Sequence, residues 1–142
     1  MKKINLIAVA LVLFVSFGAL QGCSTMKSSE KVVFQVSDND PAKWNLALNN
    51  VKNVQGTLGG AGSLDVEIVV YGPGINMLKS DSVVGNRVEE AQKTGVKIVA
   101  CQNTMKGMKL TEADMLPNTS YVPAGVIELM AKQKEGYAYV RP

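Results

Sequence analysis

The feature that narrows the fold most is a pair of apolar, β-branched runs, each set beside a stretch of helical periodicity. Leu64 to Tyr71 (Leu-Asp-Val-Glu-Ile-Val-Val-Tyr) alternates at first and becomes wholly apolar at its end. Val96 to Ala100 (Val-Lys-Ile-Val-Ala) is shorter and apolar but for one lysine. Such runs read as strands, and a strand without a polar face is one covered on both sides, as in a parallel sheet. Parallel neighbours need a crossover, usually a helix. Asp40 is a good N-cap with Pro41 at the first helical position, and Trp44, Ala47, Leu48 and Val51 recur at helical spacing behind them. Trp44 therefore reads as core rather than as a ligand-stacking ring. Val84, Val88 and Ala91 make a second buried stripe, capped by Asp81 or Ser82 and ended by Gly95. Lys31 to Ser37 reads as the first strand and Ser120 to Val122 as a brief fourth. A last helix opens at Pro123, carries Val126, Ile127 and Met130 along one side, and closes at Gly136 before a final strand, Tyr137 to Val140. The expectation is one α/β domain over residues 31–142, with a largely parallel five-stranded sheet and helices on both faces.

The links carry their own signals. Gly56, Gly59, Gly60 and Gly62 follow a helix and precede a strand. That is the reverse of a phosphate-binding loop, so they read as a helix cap and linker. Gly72-Pro73-Gly74 reads as a tight turn where a ligand or backbone can approach closely. Thr111 with Asp114 is a capping box, flanked by Leu110 and Met115 as a hydrophobic staple, for a short helix that Leu116-Pro117 stops.

The first residues have a different logic. Lys2 and Lys3 precede a short apolar stretch, Leu6 to Leu20, interrupted only by Ser16 and Gly18. A basic start and a short apolar core describe a secretory signal; a membrane span needs about 20 apolar residues. Leu20-Gln21-Gly22-Cys23 resembles the lipobox of bacterial lipoproteins. On that reading residues 1–22 are removed, Cys23 becomes the diacylated first residue, and residues 23–30 are a flexible tether. Ser24 in second place resembles a signal for outer-membrane sorting. The alternative is plain secretion with cleavage nearby, and either places the domain outside the cytoplasm. Loss of Lys2 and Lys3 takes the net charge from +3 to +1. With no basic cluster interleaved with aromatics, nucleic acid is not an expected partner. The chain holds no histidine, which excludes Cys-His and Ser-His machinery and His-ligated metal sites. Neither a metal nor a cofactor is expected.

If Cys23 carries lipid, Cys101 is the one remaining thiol of the two cysteines. It sits where a buried strand gives way to polar Gln102, Asn103 and Thr104. Ligands and reactive groups in open α/β sheets collect at the carboxyl ends of strands. Backbone N–H groups around Gln102 to Thr104 and the Thr104 hydroxyl are placed to favour a thiolate. Gly72 and Gly74, after a neighbouring strand, leave room beside the sulfur, and Lys106 or Lys109 adds charge if the loop folds back. Cys101 is accordingly the candidate catalytic residue, expected to be partly exposed and acidic for a thiol. Against this, free cysteine is often a small apolar filler. A non-catalytic ligand- or partner-binding module, or a redox-responsive thiol, would use the same residue differently.

Four segments carry a resemblance to a known family: Val-Val-Tyr-Gly-Pro-Gly (69–74), Gly-Val-Lys-Ile-Val-Ala-Cys-Gln-Asn-Thr-Met (95–105), Val-Pro-Ala-Gly-Val (122–126) and Gly-Tyr-Ala-Tyr-Val-Arg-Pro (136–142). In this order and spacing the chain resembles the DsrE/DsrF-like sulfur-relay family, from Lys31 to Pro142. The resemblance implies a three-layer α/β/α domain, often a homo-oligomer, whose strand-end cysteine carries sulfur as a persulfide; Cys101 matches it. The family often has histidine where Tyr71 stands. Its best-understood members are cytoplasmic relay components, so the sulfur donor and acceptor do not carry over.

Overall fold

A computed structural model of the chain describes residues 30–59 and 64–142. The proposed signal, Cys23 with its proposed lipidation, and most of the proposed tether lie outside the described residues. Five strands, β1 (Glu30–Val36), β2 (Leu64–Val70), β3 (Lys97–Cys101), β4 (Ser120–Val122) and β5 (Ala138–Val140), form one sheet in the order β4-β3-β2-β1-β5. Every pairing is parallel, with Phe34 opposite Ile68, Val69 opposite Val99 and Cys101 opposite Val122. All five carboxyl ends therefore lie along one edge of the sheet.

The two faces are covered very differently. Val32, Phe34 and Val36 of β1, Val66, Ile68 and Val70 of β2, and Ile98 and Ala100 of β3 share one face by the period of two. Helix α1 (Pro41–Leu58) packs on it through Trp44, Ala47, Leu48 and Val51. Asp40 caps α1 by accepting from the Ala42 N–H at 2.8 Å, and Gly59 closes it at a φ of 132°. Trp44 is core, its indole N–H donating to the Asp38 carbonyl at 2.7 Å. Helix α2 (Gly85–Lys93) adds Val88 and Ala91, and a 3-10 segment, Gly72–Leu78, adds Ile75, Met77 and Leu78.

The opposite face carries a much smaller apolar cluster: Val33, Val69, Val99, Leu129 and Tyr137. One helix, α4 (Gly125–Lys134), lies over it, and Leu129 is its sole side chain in that cluster. A fully buried leucine contributes about 1.5–3 kcal/mol, so α1 has several times the apolar anchorage of α4.

Several expectations need correction. Val126, Ile127 and Met130 do not face the sheet; they are about half exposed, at 52 %, 59 % and 49 %. Gly125 and Leu129 face inward instead. Helix α4 begins at Gly125, two residues after Pro123, whose carbonyl accepts the Asn103 N–H at 3.1 Å. Val84 sits at the start of α2 with no side-chain cap; Ser82 accepts only a long 3.4 Å bond from the Val84 N–H. Gly72-Pro73-Gly74 opens a two-turn 3-10 segment rather than a simple turn. The Thr111–Asp114 capping box is present, yet it organises only a single 3-10 turn, Glu112–Asp114. The first strand starts at Glu30, so that residue belongs to the sheet and not to the tether.

Candidate functional site

Cys101 is the last residue of β3 and the first turn of α3 (Gln102–Gly107) springs directly from it. The period of two puts its side chain on the thinly covered face with Val99. Tyr71 follows β2 on one side and Val122 of β4 lies on the other. The thiol was expected to be partly exposed; the structure leaves Cys101 only 4 % exposed. The cover is non-local. After Pro123 the chain returns so that Gly125 abuts Tyr71, where an added Cβ would meet the Tyr71 Cβ and Cδ1 at 3.0 Å. The side-chain-free Gly125 is what lets the start of α4 come this close.

Burial alone pushes the Cys101 thiol up. It is outweighed by hydrogen bonds from the Thr104 hydroxyl and from the backbone N–H groups of Gly125, Thr104 and Asn103, which together hold the thiol below its ordinary range. The role of Thr104 follows from counting its hydrogens. Its oxygen accepts the Gly72 N–H at 2.9 Å. That leaves its single proton to donate to the sulfur. The ends of β2 and β3 are thus joined through one hydroxyl, with the thiol at the end of the chain of bonds.

The other expected site residues divide. Asn103 contributes its backbone N–H, shared with the Pro123 carbonyl, while its side chain is exposed, as is that of Gln102. Gly72 belongs to the site through its N–H and adopts a φ of 55°. Gly74 does not lie beside the sulfur. A Cβ there would stand 2.7 Å from the Val36 carbonyl oxygen, and its N–H donates to Ser37 at 3.1 Å, so it serves the close approach to β1. Lys106 and Lys109 are exposed.

Two residues went unread in the sequence. Gly125 supplies a donor to the thiol; a glycine opening a helix just after a strand and a proline was the available signal. Gln35, on the same face as Cys101 and only 9 % exposed, joins the hydroxyl of Tyr139 to Ser37 and also bonds Tyr71. Burial, with Tyr139 nearby, pushes the Tyr71 hydroxyl above its ordinary value, against the pull of Arg141 and Gln35. Among the described residues no group of three or more His, Cys, Asp or Glu side chains is placed to hold a metal ion, and no helix is long and apolar enough to cross a membrane.

Comparison with known proteins matches the fold over most of the chain. The fold is that of a protein of unknown function, MTH1491, from Methanobacterium thermoautotrophicum, at 33 % identity and a TM-score of 0.75, covering 80 % of this chain and 99 % of that one. BT1422 from Bacteroides thetaiotaomicron, also of unknown function, shares the fold at 15 % identity and a TM-score of 0.67, covering 82 % and 98 %. The ychN protein from E. coli does so at 11 % identity and 0.63, covering 80 % and 99 %. No curated protein matches the chain. Residues 30–142 match the DsrE/DsrF-like family, and with its five-stranded α/β sheet the chain belongs to that family.

Proposed function

We propose that the protein carries sulfane sulfur as a persulfide on Cys101, within a sulfur-relay role of the kind its family suggests. The observation that carries this reading is the set of four donors converging on one buried sulfur at the carboxyl edge of the sheet. Thiolate, not thiol, is the nucleophile, and donors that stabilise it at neutral pH also suit the persulfide anion. In the loading step the Cys101 thiolate attacks the outer sulfur of a donor R–S–SH. A new S–S bond forms, the donor S–S bond breaks, and R–S⁻ leaves and takes the proton. The sulfur moves without net oxidation. In the unloading step an acceptor thiolate attacks the terminal sulfur and Cys101 departs as thiolate. At 4 % exposure Cys101 suits a small persulfide or polysulfide donor better than the cysteine of a folded protein. The added sulfur stands about 2 Å beyond Sγ.

Burial also favours a second reading, a ligand- or partner-binding module in which Cys101 is packing. Intact mass after polysulfide exposure separates the two, since only the carrier gains sulfur. We further infer that Cys23 is lipidated, which tethers the domain on the periplasmic side of a bacterial membrane, most simply the outer one. The support is the lipobox-like Leu20-Gln21-Gly22-Cys23 behind a basic start and apolar stretch. A homo-oligomer is the expected assembly. The half-exposed Val126, Ile127 and Met130 of α4 are the surface that a second copy would cover.

A further inference from the structure

Beneath α4, on the same face as Cys101, lies a buried carboxylate that the sulfur chemistry does not use. Glu67 sits mid-strand on β2 and is 1 % exposed. Its Oε2 is bound by Lys97 of β3 at 3.1 Å and lies 3.8 Å from Lys132 of α4. Its Oε1 is buried and finds no donor. Glu128, one turn before Lys132 on α4, faces the Glu67 carboxyl across the same ammonium, its Oε1 also lying 3.8 Å from Lys132. The remaining charged neighbours are accounted for. Glu135, at the end of α4, takes Lys132 at 3.1 Å but is half exposed. Tyr137, before β5, donates to Asp65 of β2, and Lys31 of β1 and Lys132 lie over its ring. A buried carboxyl and a partly exposed one therefore face each other beside one ammonium. A proton on one of them would satisfy the orphan oxygen and relieve the repulsion between the two carboxyl groups.

We propose that Glu67 and Glu128 share one proton, that this proton fastens α4 to the sheet, and that its loss as the pH rises loosens α4 and uncovers Cys101. The inference concerns regulation of the same thiol and takes its biological meaning from the carrier reading, while the coupling itself does not require persulfide. Burial, then the facing Glu128, raises the Glu67 carboxyl above its ordinary value of 4.5 against the pull of Lys97. A value raised by folding means that the fastened state binds the proton more tightly than the loosened one. Fastening is then complete below 4.5 and is lost as the pH climbs through the raised value. With Leu129 as its one buried apolar anchor, α4 is the helix most dependent on such a contact. Its first turn carries the Gly125 N–H that faces the sulfur.

The test is amide hydrogen exchange at Val126 to Leu129, corrected for intrinsic base catalysis, alongside iodoacetamide labelling of Cys101 corrected for its thiolate fraction. Both are followed across pH in the wild type and in Glu67→Gln. Between 4.5 and the raised value, wild-type protection should fall and labelling rise by about tenfold per pH unit. Glu67→Gln, neutral and of the same shape, should be flat in both. A flat wild type, or the same slope in the variant, overturns the proposal. Should Glu67→Gln fail to fold, Glu128→Gln serves in its place and carbon-13 titration of the wild-type Glu67 carboxyl decides. A midpoint above 4.5 supports the shared proton and one at or below it overturns it. Neither readout uses a sulfur donor, so failure to form a persulfide would count against the carrier reading alone.

Discussion

Thr104 shows what a single hydroxyl contributes at this site. It accepts from Gly72 and donates to Cys101, so its loss removes a stabiliser of the thiolate and strands an N–H. Thr104→Val should move the Cys101 thiol upward and slow its alkylation at neutral pH, at a cost of about 1 kcal/mol in stability. Thr104→Ser should restore both, as ultraviolet titration of the thiolate and urea unfolding would measure. Cys101 was legible as a candidate because an apolar run ends on it and a polar segment follows. Its burial was not, because the cover comes from Gly125, 24 positions on, and no local pattern encodes that return. The burial also sets what Cys101→Ser should do to stability. In the donor-lined site a serine is accommodated only partly, and a loss of about 1–3 kcal/mol is expected whichever functional reading holds.

At the scale of elements, periodicity read the strands and α1 well because their apolar positions face a neighbour on both counts: burial and register. It read α4 less well. A stripe such as Val126, Ile127 and Met130 says that one side of a helix is apolar, not whether the sheet or something else covers it. The 3-10 segment Gly72–Leu78 was read only as a turn because its cause is steric and non-local. Gly74 lies against the β1 backbone, and only hydrogen fits there. Gly74→Ala should accordingly destabilise by about 1–3 kcal/mol and shift the end of β2. Equilibrium unfolding would check the first effect, and the chemical shift of the Gly72 amide the second. A neutral result would mean that the approach to Val36 relaxes freely.

For the whole molecule, all five parallel strands deliver their carboxyl ends to one edge, and the thiol stands at that edge between β2 and β4. The architecture was readable from strand–helix alternation, whereas what the molecule binds to was not, because assembly depends on surfaces that alternation does not describe. Light scattering under reducing conditions should give a multiple of the monomer mass, and Ile127→Lys should reduce it by charging the exposed face of α4. A monomer at high concentration would contradict the oligomer and leave the fold untouched. Palmitate labelling should mark a membrane-fractionating protein and vanish in Cys23→Ser. Unlabelled protein in the soluble periplasmic fraction would contradict the anchor.

The most direct test of the carrier is the intact mass of the protein after brief polysulfide exposure, read with and without reductant. The account predicts a gain of one or more sulfur atoms on the wild type, reversed by reductant and absent in Cys101→Ser. No gain on a folded wild type whose Cys101 still reacts with a small alkylating reagent would contradict it.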